Sequence, residues 1–153
     1  MKIELTRDLS YLGYQAWKRL GDLCATVYHT GLHRQSADDE SGPAFLSQWR
    51  LACFAAAFYV DKCLATFLGR PPLLNYRHCR LGLPLDLSDD ALVADASSFS
   101  EAAQQLDRDG WNPLGEVYRT SLVRIRLLLA IFRDKVLELT AASYDGDILL
   151  RAK

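Results

Sequence analysis

Two histidines four positions apart, His29 and His33, are the first residues of this chain whose types and spacing could do chemistry. On a continuous helix they would lie on one face and could share a metal ion. Gly31 falls between them, where a helix is expected to end, and no Glu completes a His-Glu-x-x-His pattern. His78-Cys79 sets a base beside a nucleophile, yet adjacent residues rarely aim both side chains at one substrate atom. Asp86, Asp89 and Asp90 resemble a paired-carboxylate site, but a helix start at Ser88 explains them more simply, as acids near the positive end of a helix dipole. Gly69-Arg70-Pro71-Pro72 lacks the repeated glycines and the Lys-Ser/Thr ending of a phosphate loop. These residues assemble no nucleophile–base pair and no metal set, so the chain is read as a non-enzyme with no catalytic, metal or cofactor-binding residues.

The four cysteines, Cys24, Cys53, Cys63 and Cys79, form no Cys-x2-Cys pair, which argues against a zinc ribbon, finger or cluster. They read as reduced, mostly buried thiols. The first ten residues contain no apolar stretch of the kind a secretory signal carries. The 153 residues have a net charge of −1, with half of them hydrophobic and 24% charged. That is the balance of one globular domain without the basic excess of a free-standing nucleic-acid binder. Arg119, Arg124, Arg126, Arg133 and Lys135 appear scattered around their helix, so no direct nucleic-acid contact is expected.

The elements that must position these residues are helical. Leu12, Ala16, Leu20, Leu23, Val27 and Thr30 share one face of a helix from about Tyr11 to Thr30. Residues of about 34–43 read as a loop. The span from about Ala44 to Leu68 is the most apolar, with one stripe of Leu51, Phe54, Phe58, Ala65 and Leu68 and another of Leu46, Trp49, Cys53, Val60, Leu64 and Phe67. Its longest charge-free run is closed by Asp61-Lys62, so it reads as a central buried helix and not as a membrane span. Gly69 gives that helix a left-handed end, and Pro71-Pro72 cannot continue it. An extended crossing segment follows over about 70–87. Ser88 caps the next helix, and Ser98 with Glu101 forms a capping-box pattern for another.

Asn112-Pro113 opens the last and longest helix. Its wide apolar face runs through Leu114, Val117, Tyr118, Ser121, Leu122, Ile125, Leu128, Leu129, Phe132, Val136 and Leu139, with Val123, Leu127, Ala130 and Leu137 towards the other side. Such a helix needs cover on two sides. The fold class is all-α, an irregular domain of about five helices around a central buried one, and an isolated chain of this kind is expected to be sticky.

Tyr14-x-x-Trp17, Leu20-Gly21-Asp22, Gly31-Leu32-His33-Arg34, Asp61-Lys62, Leu68-Gly69-Arg70-Pro71-Pro72 and Leu83-Pro84-Leu85-Asp86 occur in that order. Together they resemble the fungal-specific transcription factor domain, the middle homology region of fungal zinc-cluster regulators, over roughly residues 10–140. The motif positions that carry the resemblance are Asp61, Lys62, Gly69, Arg70, Pro71, Pro72, Leu83, Pro84 and Asp86. The resemblance implies a helical regulatory and interaction domain of a nuclear protein that controls RNA polymerase II transcription. Zinc and DNA binding belong to a six-cysteine module that these residues do not contain. It further implies a single, truncated regulatory domain over 1–153, with protein partners or self-association, no membrane contact and no cofactor of its own. The alternative is a helical domain binding a small apolar effector, or a paralogue without a DNA reader.

Within the motif, Asp61 falls in the stripe of Leu51, Phe54 and Leu68, so its carboxylate is expected to face the core, while Lys62, about 100° further round, reaches solvent. A buried carboxylate needs a cationic or multiple-donor partner. Arg70 is the first candidate and Arg124 or Arg126 the second.

Overall fold

Local signals at the helix ends account for most of the element order. A computed structural model describes residues 2–34, 42–79 and 82–151. Among them are five α-helices and no strand: α1 (Lys2–His29), α2 (Ala44–Leu68), α3 (Asp89–Val93), α4 (Ala96–Gln104) and α5 (Arg119–Arg151), with one 3-10 turn at Tyr76–His78. The all-α class holds. The loop expected over 34–43 lies mostly outside the described residues.

α1 starts earlier than its apolar period indicates and ends at His29, where Gly31 takes a φ of 69° and the Leu32 amide donates to Val27 O at 3.1 Å. From Tyr11 onward its buried residues are Leu20, Cys24 and Val27; Leu12 and Leu23, expected on that face, are exposed. α2 ends as its sequence dictates. Gly69 adopts φ 61°, ψ 36°, and the Gly69 and Arg70 amides both donate to Ala65 O. Only glycine takes that left-handed conformation without a Cβ penalty.

α2 is the centre of the fold and packs against both α5 and α1. Phe54 and Phe58 stack with centroids 5.6 Å apart, and Tyr76 meets the Phe58 ring edge-on at 5.9 Å. Leu20, Val27, Leu74, Leu127 and Ala130 complete the apolar core. α2 is long and apolar enough to cross a membrane by length and composition, but its inward stripe is occupied by protein contacts. Its second stripe is not enclosed: Leu46, Trp49, Val60 and Phe67 are exposed.

Two helix starts differ from expectation. α4 is capped by Asp95, not Ser98: the Asp95 carboxylate accepts from the Ser97 and Ser98 amides at 3.0 and 2.9 Å. A carboxylate at this position both caps the free amides and complements the dipole. The Ser97 hydroxyl, followed by the Ser98 amide, holds its pKa down at about 2. α5 begins at Arg119, not at Asn112-Pro113. Asn112 Oδ1 instead accepts from the Leu114 amide at 2.9 Å, and Gly115 turns the chain at φ 75°, a side-chain-supported turn in place of a cap. At the true start the Tyr118 amide donates to Ser121 Oγ at 2.9 Å. Ser88 caps α3 as expected, accepting from the Ala91 amide.

The crossing segment contains the 3-10 turn but otherwise runs without helix through its described residues. Leu74, Cys79, Pro84, Asp86 and Leu87 are buried within it, so it is an internal strap and not a surface loop.

Candidate functional site

The strap is gripped at two points, and motif residues take part in both grips. At its start, Asp61 is fully buried on α2. Its carboxylate accepts from the Leu73 and Leu74 amides, each at 2.9 Å. Its cationic partner is Lys62, at 2.9 Å, and not Arg70. Lys62 does not reach solvent; it is as buried as Asp61. The Lys62 ammonium sits 2.8 Å from Asp134 of α5, donates to Leu74 O and lies 4.3 Å above the Phe58 ring. All three of its protons therefore have acceptors. Asp134 takes the Tyr76 amide at 3.3 Å. Two carboxylates, one ammonium and three strap amides make a closed set, the condition under which buried charge is tolerated.

The correction has a geometric cause. Adjacent helical residues point about 100° apart, and α2 is covered across more than that arc, by the strap and by α5. Arg70 is exposed at the helix end and lies over the Trp17 ring of α1 at 5.2 Å. Gly69, Pro71 and Pro72 turn the chain there, beside Leu137 and Glu138 of α5.

The second grip holds the far end of the strap. Asp86 is buried, and accepts from Ser121 Oγ, the Asn112 amide at 3.2 Å and, more weakly, Thr120 Oγ1 at 3.4 Å. Asp86 is thus an internal acceptor and not an acid of the α3 first turn, which is served by Asp89 and Asp90. Beside it Arg124, fully buried, donates to Pro84 O and to Asp109 O at 2.6 Å, with its guanidinium 4.3 Å from the Trp111 ring. Burial pushes its pKa down, against the opposing pull of Asp86, Asp107 and Asp109. Leu83, half-buried, packs on the core next to Pro84.

Asp134, Thr120 and Ser121 are therefore structural partners that the motif reading leaves unassigned, and Arg124, expected as a second candidate for Asp61, serves Pro84 and Asp109 instead. Leu127, Ala130 and Asp134 share one face at spacings of three and four, and Arg124 precedes Leu127 by three; this spacing is the signal that could have found them.

The remaining candidates stay apart. His33 meets Tyr28 edge-on at 5.0 Å. Cys24 and Cys79 are buried thiols pushed up to about 12 and 11, chiefly by desolvation. Among the described residues no group of three His, Cys, Asp or Glu side chains could hold a metal ion.

α5 turns its sides the opposite way from a simple amphipathic helix. Thr120, Ser121, Arg124, Leu127, Ala130 and Asp134 are inside. The wide apolar face, including Leu122, Ile125, Leu129, Phe132 and Val136, is exposed. So continuous an apolar strip is uncommon on the surface of a monomer.

The structure is thus an all-α scaffold braced by internal charge, with an apolar helix face turned outward. The chain matches the fungal specific transcription factor domain over residues 3–131, and it belongs to that family. No curated protein and no solved structure matches it.

Proposed function

We propose that these residues are the protein-docking part of a nuclear fungal transcription factor that regulates RNA polymerase II transcription, with zinc and DNA binding carried by residues other than these. The observation that carries the reading is the inversion of α5: Thr120, Ser121, Arg124 and Asp134 pack inside, while Leu129 and Phe132 face water. Burying Arg124 and Asp134 is costly; Nη1 and Nη2 of Arg124 have acceptors while its Nε has none, and the arrangement frees the apolar face for a partner. The test is a reporter assay with the chain fused to a heterologous DNA-binding module. Leu129→Glu/Phe132→Glu should change reporter output severalfold while leaving the melting temperature of the purified chain within about 2 °C, since exposed substitutions usually fall within about 0.5 kcal/mol. Unchanged output from a folded variant refutes the docking role.

A second reading rests on a cleft of about 350 Å³ lined by Phe45, Trp49, Ala52, Leu92, Val93 and Val123. Its size and apolar walls suit a small effector. A thermal-shift panel of lipids and secondary metabolites, read against Ala52→Trp to fill the cleft, separates the two readings.

A further inference from the structure

The exposed face of α5 has a period that specifies what it binds. Leu122, Ile125, Leu129, Phe132 and Val136 are spaced three, four, three and four residues apart, and each is 43–68% exposed. That 3.5-residue repeat is the spacing of a coiled-coil seam, set within a wider exposed apolar face that also includes Leu128. Along one edge of the seam, Arg119, Arg126 and Arg133 recur every seventh residue. The basic residues of α5 therefore do form a stripe, contrary to their scattered appearance in the sequence, because Arg124 is buried and Lys135 lies on the other edge. That other edge carries Leu128 and Lys135, while Ser121, in the same register, is buried against Asp86. Between residues 119 and 140 neither edge holds an acid.

The arginines are held in place. Arg126 lies 5.8 Å over the Tyr59 ring, and Arg133 donates to Cys63 Sγ at 3.0 Å. Of the three, Arg119 alone has an acid within ion-pair distance among the described residues: Asp89, 3.9 Å away, with both side chains largely exposed, a geometry worth little in water.

We propose that this seam docks an acidic amphipathic helix of a partner protein, with apolar residues at a 3.5-residue period and Asp or Glu at the positions flanking them. The proposal rests on the docking reading above and names the partner's chemistry. A second copy of this chain fits poorly on charge. Packed antiparallel, the two arginine edges face each other. Packed parallel, the flanking pairs open to a second copy are Leu128 with Arg133 and Lys135 with Thr140, neither of them attractive. Flanking charges choose partner and orientation more than they add affinity, so an all-basic flank selects an acidic helix.

The test uses the purified chain and two labelled synthetic helices about four heptads long. Both carry Leu and Ile along the seam; one has Glu at the flanking positions and the other Lys. Fluorescence anisotropy should show the Glu helix binding at least about tenfold more tightly at low salt, the gap narrowing in about 0.5 M salt as screening sets in. Arg119→Glu/Arg126→Glu/Arg133→Glu, checked as folded by circular dichroism, should reverse the preference, and Leu129→Ser/Phe132→Ser should abolish binding of both. Equal affinities, or binding of neither helix by the wild-type chain, overturn the proposal, and that measurement needs no variant to fold. A dimer by light scattering that Phe132→Glu dissolves also overturns it, as does displacement of the Glu helix by equimolar duplex DNA. Reporter output tests docking as such, so a helix that fails to bind while Leu129→Glu/Phe132→Glu still alters the reporter sinks the acidic partner alone.

Discussion

Replacing Lys62 with methionine keeps the apolar stem that packs near Phe58 and deletes only the ammonium. Three acceptors lose their donor at once: Asp61 at 2.9 Å, Asp134 at 2.8 Å and the Leu74 carbonyl. Asp61 keeps the Leu73 and Leu74 amides, and Asp134 keeps the Tyr76 amide, so the carboxylates remain hydrogen-bonded but face each other without a cation. Removing one member of a buried pair costs about 3–5 kcal/mol. At about 2–4 °C per kcal/mol for a chain of this size, the melting temperature should fall by about 6–20 °C. Asp61→Ala should cost a similar amount, because both residues belong to one set. Arg70→Ala should cost at most about 1 kcal/mol, since Arg70 contributes an exposed cation–π contact over Trp17. Adding Asp134→Asn to Lys62→Met should restore part of the loss, with a coupling of about 0.5–3 kcal/mol. The assay is thermal and urea unfolding followed by circular dichroism. If Lys62→Met melts within about 2 °C of wild type while Arg70→Ala melts far below it, the ammonium is not the centre of this grip and the reasoning fails.

Three further outcomes follow from the same geometry. Burial pushes the Cys24 and Cys79 thiols up to about 12 and 11, so at pH 8 a thiol reagent should label the half-buried Cys53 and Cys63 first and reach all four only in urea; because the folded values are raised, the stability these neutral thiols contribute is present below about pH 9 and lost as pH rises towards them. Asp95 is depressed to about 2, so its capping contribution is present above the ordinary carboxylate value of about 4 and lost as pH falls towards 2, and an NMR titration should place its midpoint near 2, with the Ser97 and Ser98 amides losing exchange protection in parallel. Gly110→Ala forces φ 78° on a residue with a Cβ, which would stand 3.3 Å from Leu85 Cδ2 and 3.4 Å from Arg124 Nη1; left-handed strain alone costs about 1–2 kcal/mol, read as a melting temperature lower by at least about 2 °C.

What the sequence makes legible here is local. Gly69 before Arg70-Pro71-Pro72 ends α2 wherever the chain goes next, and Ser88 before two acids starts α3, because caps and turns are settled within a few residues. Even locally, two competent caps can compete: Asp95 and Ser98 stand three apart, and the acid, which accepts from two amides and also meets the dipole, displaces the start by one turn. Asn112-Pro113 has the form of a helix start but is spent on the turn that carries Asn112 to Asp86.

Periodicity fixes which side chains share a face, not which face is covered. For α5 the broad apolar side looks like the core side by area alone, at about 25 cal/mol per Å². The strap decides otherwise. Its amides at Leu73, Leu74 and Tyr76 and its carbonyls at Leu74 and Pro84 must be satisfied once buried, and Asp61 and Lys62 with Asp134 and Arg124 of α5 are the side chains that satisfy them. An α5 turned to put Leu129 and Phe132 inside would strand those groups and place Arg124 and Asp134 in water. The motif residues Asp61, Lys62, Pro84 and Asp86 thus set the rotation of α5, and the exposed seam that a partner would read is a consequence of that rotation.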